Sequence, residues 1–245
     1  MHNAAYEALG LDWRYLPLPV APERFEETAR ALEASGYRGA NVTVPHKVAA
    51  LAEADEATPA AQAIGAANSL TFQEGRILAD NTDAGGFLDA VGDIPASALV
   101  LGAGGAARAV IWALREGGAE VTIWNRTAAR AQELAQEMGV SASPAPIRAD
   151  ILVNCTTAGL DPEVPAPEVL GALGLDGLEP PATVFDLVYR DGETPVSEWG
   201  RLAGSRVIDG LEMLVGQGAR SFAHWTGHEA PLEVMREAAR ALPSA

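Results

Sequence analysis

The segment Leu99-Val100-Leu101-Gly102-Ala103-Gly104-Gly105-Ala106-Ala107-Arg108 constrains the fold more than any other part of the chain. An apolar run, Ala98 to Leu101, enters a glycine-rich turn, and a helical pattern leaves it toward Arg115. The spacing fits G-x-G-x-x-A. Its glycines let the backbone turn tightly and approach a pyrophosphate, and the helix N-terminus meets negative charge with free N–H groups and a positive dipole end. A plain strand-to-helix turn can share this spacing, but the strand before and the helix after are the context of a dinucleotide-binding unit. At the end of the next strand, a NAD-binding unit carries Asp or Glu for the ribose 2′-hydroxyl. Here that stretch reads Trp124-Asn125-Arg126-Thr127, without a carboxylate. A guanidinium at Arg126 can clamp a 2′-phosphate bidentately, and Arg130 lies one helical turn further on. The residues therefore favour NADP. The alternative is that Asn125 caps the helix and Arg126 is solvated.

The pattern around this turn alternates strands and helices. Strands are expected at Ala98–Leu101, Glu120–Trp124, Asp150–Cys155, Thr183–Val188 and Ser205–Ile208, with a helix over Ala128–Met138. That alternation implies a parallel sheet with covered faces. Gly159 to Pro181 reads as a Pro- and Gly-rich loop with one short helix, and two helices, Leu211–His224 and Pro231–Ala241, close the chain. The first half mixes elements. Helices are expected over His2–Leu9, from Pro22 to Gly36, over His46–Ala54 and over Pro59–Ile64. Strands are expected at Trp13–Val20 and Ala40–Val44, and a hairpin turns at Glu74-Gly75.

Charge removes several function classes. The 245 residues carry a net charge of −16, which repels phosphate backbones and makes nucleic acid and anionic membrane poor partners. One cysteine, Cys155, excludes an internal disulfide and fits a reducing compartment. No stretch reads as a membrane span or a signal peptide, so the expected location is cytoplasmic. His224 and His228 are four apart, but Gly227 breaks the helix and no further ligand is apparent, so no metal is expected.

Of the 17 basic residues, Lys47 alone is lysine. Arg stays charged at any working pH, whereas a Lys ammonium can give up its proton. Lys47 is therefore either a titratable amine that the chain needs or a leftover surface residue in a compositionally biased chain. It follows Asn41-Val42-Thr43-Val44-Pro45-His46, where Asn41 and Thr43 fall on the same face of an expected strand. Asn68 starts a later strand, and Asn81-Thr82-Asp83 precedes a helix. Singly, Asp83 reads as a helix cap and Asn68 as a turn residue. Together they form a set of hydrogen-bonding groups with one titratable amine, suited to a polyhydroxylated substrate.

The chain resembles the shikimate dehydrogenase family. The resemblance rests on Asn-Val-Thr-Val-Pro-His-Lys (41–47), Ile-Gly-Ala-Ala-Asn-Ser-Leu (64–70), Asn-Thr-Asp-Ala-Gly-Gly-Phe (81–87) and Gly-Ala-Gly-Gly-Ala-Ala-Arg (102–108). It extends through Asn-Arg-Thr (125–127), Asn-Cys-Thr-Thr-Ala-Gly (154–159), Asp-Leu-Val-Tyr (186–189) and Asp-Gly-Leu-Glu-Met-Leu-Val-Gly-Gln (209–217), in family order. It implies an α/β protein of two domains with the active site in the cleft between them. Residues 1–82 with 211–245 would bind substrate, and 83–210 would form a Rossmann-like NADP domain. Lys47 and Asp83 would be the catalytic pair. Asn41, Thr43, Asn68 and Gln217, with Tyr189 nearby, would hold the hydroxyls of shikimate or 3-dehydroshikimate. Gly102, Ala103, Gly104, Gly105, Ala106, Asn125, Arg126, Thr127, Arg130, Thr156, Gly210 and Met213 would bind NADP. The implied reaction is the reversible NADP-dependent reduction of 3-dehydroshikimate, by a monomer or homodimer.

His2 and Asn3 match the His-Asn that follows the family's first strand and Ser-x-Ser-Pro loop, and Met1 stands directly before them. The expectation is an N-terminally truncated chain, without two serines that hold the substrate carboxylate and with a sheet edge exposed. Two other readings follow: a NAD-dependent quinate or shikimate dehydrogenase, and an inactive nucleotide-binding remnant.

Overall fold

The computed structural model describes residues 1–241, which divide into two compact units. The first comprises Met1–Gly86 and Leu214–Ala241, and the second Phe87–Met213. The divisions fall inside the helices Thr82–Val91 and Gly210–Thr226, a turn beyond the 82/83 and 210/211 junctions expected from the sequence.

The first unit is built on a four-stranded sheet. Strand β1 (Gly39–Asn41), β2 (Glu56–Ala57), β3 (Ser69–Gln73) and β4 (Arg76–Asp80) take the order β1-β3-β4-β2. β3 and β4 form the expected hairpin, with Gln73 opposite Arg76. Its two turn residues, Glu74 and Gly75, both have positive φ (54° and 76°), the twist-matched geometry of a two-residue hairpin loop. Phe25, Ala29, Val42, Ala50, Leu70, Phe72 and Ile77 form the core beneath the sheet, contributed by the strands and by helices Phe25–Ala34 and Lys47–Ala52. A second cluster joins Ala5 and Tyr6 to Val215, Ala219, Phe222 and Met235, from the first helix and the last two.

Trp13–Val20 is not a strand. Pro17 and Pro19 cannot donate to a ladder. The backbone of Tyr15 pairs instead with the side chain of Asn3, whose Oδ1 accepts from Tyr15 N at 2.7 Å and whose Nδ2 donates to Tyr15 O at 3.0 Å. β1 is also shorter than the expected Ala40–Val44, ending at Asn41, with Thr43 and Val44 exposed.

The second unit holds a parallel sheet of β5 (Ser97–Leu101), β6 (Glu120–Trp124), β7 (Ser141–Ala142), β8 (Ile151–Asn154), β9 (Thr183–Asp186) and β10 (Arg206–Asp209). The order is β10-β9-β8-β5-β6-β7, with every pairing parallel. Every residue of β8, and all but the first of β5, is buried, as a sheet covered on both faces requires. From β5 the chain winds outward through β6 and β7, then returns to start again at β8. The direction of winding therefore reverses between β5 and β8, the switch point where open α/β sheets bind ligands. The helix Pro195–Leu202, opened by a Thr194 side-chain cap, lies in a stretch left without an element in the sequence reading.

Candidate active site

In the first unit, five separate segments, around Tyr15, Asn41–Lys47, Asn68, Thr82–Asp83 and Gln217–Ser221, deliver polar side chains to one place. Lys47 begins the helix Lys47–Ala52, and its carbonyl accepts from Ala67 N at 2.8 Å, which ties it to the segment leading to Asn68. Asp83 lies in the first turn of the helix Thr82–Val91, where the macrodipole favours an acidic group. Asp83 does not cap that helix. Asn81 does so, its Oδ1 accepting from Ala84 N at 3.3 Å while its amide holds Ala66 O at 2.9 Å. The Asp83 carboxylate is thereby left for other partners. Lys47 Nζ lies 2.5 Å from Asp83 Oδ2. Asp83 Oδ1 accepts from Asn68 Nδ2 at 2.8 Å.

Asn68 is 2% exposed and organises the rest. Its Oδ1 accepts from Thr82 N at 2.7 Å, and its amide is also within 3.2 Å of Gln217 Oε1. Asn41 Nδ2 donates to Ser221 Oγ at 2.8 Å, Tyr15 OH donates to Asn41 Oδ1 at 3.1 Å, and Ser221 Oγ lies 3.3 Å from Thr82 Oγ1. Five of the residues expected to act on substrate, Asn41, Lys47, Asn68, Asp83 and Gln217, thus fall in one connected cluster. Thr43 is exposed and outside it, because β1 ends before the alternation reaches it. Thr82, Ser221 and Tyr15 are members that the sequence reading did not assign. Ser221 had a signal, since it stands four residues after Gln217 on one helix face.

In the second unit, β5 leads into the turn Gly102–Gly104 and the helix Gly105–Glu116. Gly102 has φ of 110°, and a Cβ there would lie 3.2 Å from the backbone of Cys155 and from Thr156 Cγ2, so any other residue is strained and crowded there. A Cβ on Gly104 would meet nothing within 4 Å, which leaves room over the turn for a ligand. The helix has neither a side-chain cap nor an acidic residue in its first turn, so its N–H groups are offered to an anion. Arg126, Thr127 and Arg130 are exposed after β6, and the Asn125 amide donates to Thr127 O at 3.0 Å. Thr156 Oγ1 donates to Asn154 Oδ1 at 2.7 Å beside the turn. This donor set fits a dinucleotide: an open glycine turn for the pyrophosphate and two guanidinium groups beyond the next strand for a phosphate on the ribose. Gly210 starts its helix against the end of β9, where a Cβ would lie 2.6 Å from Leu187 C, and Met213 is buried one turn on.

Three family models match along the chain. The shikimate dehydrogenase substrate binding domain covers residues 1–70, the shikimate / quinate 5-dehydrogenase model residues 91–158, and the shikimate 5′-dehydrogenase C-terminal domain residues 210–240. The chain is 45% identical over 250 residues to a shikimate dehydrogenase (NADP(+)) of Thermus thermophilus, covering 98% of this chain and 91% of that one. The chain belongs to the shikimate dehydrogenase family. A member from Methanothermobacter thermautotrophicus is 40% identical over 256 residues, covering 97% of this chain and 89% of its own. Among solved structures of the family, a shikimate 5-dehydrogenase of Thermus thermophilus, in complex with NADP(H) and shikimate, superposes with a TM-score of 0.84 at 43% identity. That match covers 98% of this chain and 92% of the Thermus chain.

Tyr189, the remaining residue expected to touch substrate, lies in the second unit and is 46% exposed. Among the described residues no group of three or more His, Cys, Asp or Glu side chains is placed to hold a metal, and no helix is long and apolar enough to cross a membrane.

Proposed function

We propose that this chain interconverts 3-dehydroshikimate and shikimate with NADP(H). The observation that carries the reading is the Lys47–Asp83 pair, set among the neutral amides of Asn41, Asn68 and Gln217. A substrate rich in hydroxyls needs donors and acceptors that carry no charge, and a ketone under reduction needs one proton source at its oxygen. The first unit supplies both. We assign the dinucleotide to the second unit, with the Gly102–Ala106 turn and Thr156 at the pyrophosphate and Arg126 with Arg130 at the 2′-phosphate. When bound, the nicotinamide supplies or accepts the hydride.

Lys47 Nζ holds the proton that the developing alkoxide takes up, and its positive charge stabilises that oxygen before transfer. Asp83 fixes the ammonium through Oδ2 and is itself fixed through Oδ1 by Asn68. Asn41 and Gln217 orient the remaining hydroxyls. The single cysteine supports a reducing, cytoplasmic setting.

The test is steady-state reduction of NADP by shikimate, run beside quinate as substrate and NAD as cofactor. We expect kcat/KM for shikimate with NADP to exceed either alternative by about tenfold or more. No turnover of shikimate, or a preference for quinate with NAD, would overturn the reading.

A further inference from the structure

The turn after β8 rests on two buried polar side chains. Asn154 ends β8 and Asp186 ends β9, directly opposite in the parallel register, and each is 0% exposed. Side chains paired in this way stand side by side on one face of a sheet. Asn154 Nδ2 donates to Asp186 Oδ1 at 2.8 Å. The other end of the same amide faces the turn, where Asn154 Oδ1 accepts from Thr156 N at 3.1 Å and from Thr156 Oγ1 at 2.7 Å. Thr156 Oγ1 in turn accepts from Ala158 N at 3.1 Å. Asp186 is held from behind, with Val188 N donating to Oδ1 at 3.1 Å and the Thr194 hydroxyl donating to Oδ2. The turn so fixed is the one whose Cys155 backbone and Thr156 methyl crowd Gly102 at the switch point.

An apolar pair at these two positions would satisfy the sheet without burying a carboxylate, which is costly in the absence of partners. Burial raises the Asp186 carboxyl to about 6, against the three hydrogen bonds that lower it. The charge is therefore tolerated at a cost, and the return is a defined position for Thr156.

We propose that Asn154 and Asp186 are positioning residues for the dinucleotide: Asp186 locks the Asn154 amide, and Asn154 fixes the Cys155–Ala158 turn against Gly102. This rests on the reading that these two turns hold the cofactor. The role is geometric, which gives it a distinctive pattern of variants. In Asp186→Asn, Oδ1 keeps both Asn154 and Val188, and the new amide donates to Thr194 Oγ1 once that hydroxyl rotates. In Asp186→Ala the anchor is gone. Asn154→Ala cuts the middle link and leaves Val188 and Thr194 on Asp186.

The experiment measures NADPH affinity by fluorescence titration, and kcat with KM for shikimate at saturating NADP, for wild type, these three variants and the Asp186→Ala/Asn154→Ala double variant. We expect Asp186→Ala and Asn154→Ala each to weaken NADPH by about fivefold or more, and Asp186→Asn to stay within about twofold of wild type. Asn154→Ala should leave the KM for shikimate within about twofold, and the double variant should be no weaker for NADPH than the worse single one. Wild-type NADPH affinity in Asp186→Ala, or an equal loss in Asp186→Asn, would overturn the positioning role while leaving the cofactor site standing. A wild-type chain that does not bind NADPH would overturn both. If neither alanine variant folds, the pair supports the fold as a whole and the cofactor role fails.

Discussion

The ammonium of Lys47 lies 2.5 Å from the Asp83 carboxylate, with only 12% and 7% of the two side chains exposed. A pair so nearly buried gains little by being a salt bridge alone, because desolvation offsets most of the attraction. Its placement makes sense as chemistry. Arg in place of Lys would keep the charge but could not release a proton. Lys47→Arg should therefore lower kcat by about 100-fold or more, the scale of general acid–base catalysis, with NADPH affinity nearly unchanged. Steady-state kinetics beside a cofactor titration would check this, and near-normal kcat would remove the proton-transfer role.

The proposed role of Arg126 is to set the choice of cofactor. It is exposed at the end of β6, and no carboxylate occupies the stretch 124–127 that follows. Arg126→Ala should weaken NADPH by roughly 1.5–3 kcal/mol, the worth of a hydrogen bond to a charged group, and leave NADH almost unaffected. Equal losses for the two cofactors would show that Arg126 does not read the 2′-phosphate.

Asp186 gives the protein a pH dependence of unusual sign. The carboxyl titrates at about 6 when folded against 3.8 ordinarily, because burial outweighs its hydrogen bonds. Between those values the folded chain binds more protons than the unfolded one, so stability falls as pH rises through the window. The contribution is fully present below about pH 4 and is lost above pH 6, amounting to about 3 kcal/mol. Asp186→Asn does not titrate and keeps the geometry. The variant should therefore match wild type near pH 4 and exceed it in melting temperature at pH 7. Parallel melting curves from pH 4 to 7 would contradict the buried-charge account.

The sequence carried most of the second unit, though not the helix Pro195–Leu202. Long alternating runs have a period that can be read locally, and Glu120–Trp124 and Ala128–Met138 fall where the pattern puts them. The two-residue strands β2 and β7 are too short to show any period. Trp13–Val20 looked like a strand because it is apolar, yet the partner of its Tyr15 backbone is a side chain twelve residues earlier. The site divides in the same way. Lys47 stands out as the single lysine and Asp83 enters through the family resemblance, whereas Tyr15 and Thr82 join through contacts that depend on the fold. Asn154 and Asp186 stand in motifs that the sequence displays, but only the sheet register reveals that they meet.

Gly102 and Gly104 look alike in the sequence and should fail in different ways. Gly102 has φ of 110°, and a methyl there would press on Cys155 and Thr156 at 3.2 Å. Backbone strain of this kind costs about 1–3 kcal/mol before the crowding is counted. Gly104 has φ of −99° and ψ of −174°, an extended conformation open to any residue, and its methyl would meet nothing within 4 Å. Gly104→Ala should therefore cost the fold no more than about 1 kcal/mol, the penalty for Ala at a helix N-cap. The same methyl would stand in the space over the turn where the backbone must approach the pyrophosphate. Gly102→Ala should thus lower the melting temperature and NADPH affinity together, and Gly104→Ala should lose NADPH affinity with its melting temperature nearly intact. Thermal melts and NADPH titrations on the two variants separate these outcomes. If Gly104→Ala binds NADPH like wild type, the pyrophosphate does not lie over this turn, and the assignment of the cofactor to the switch point fails.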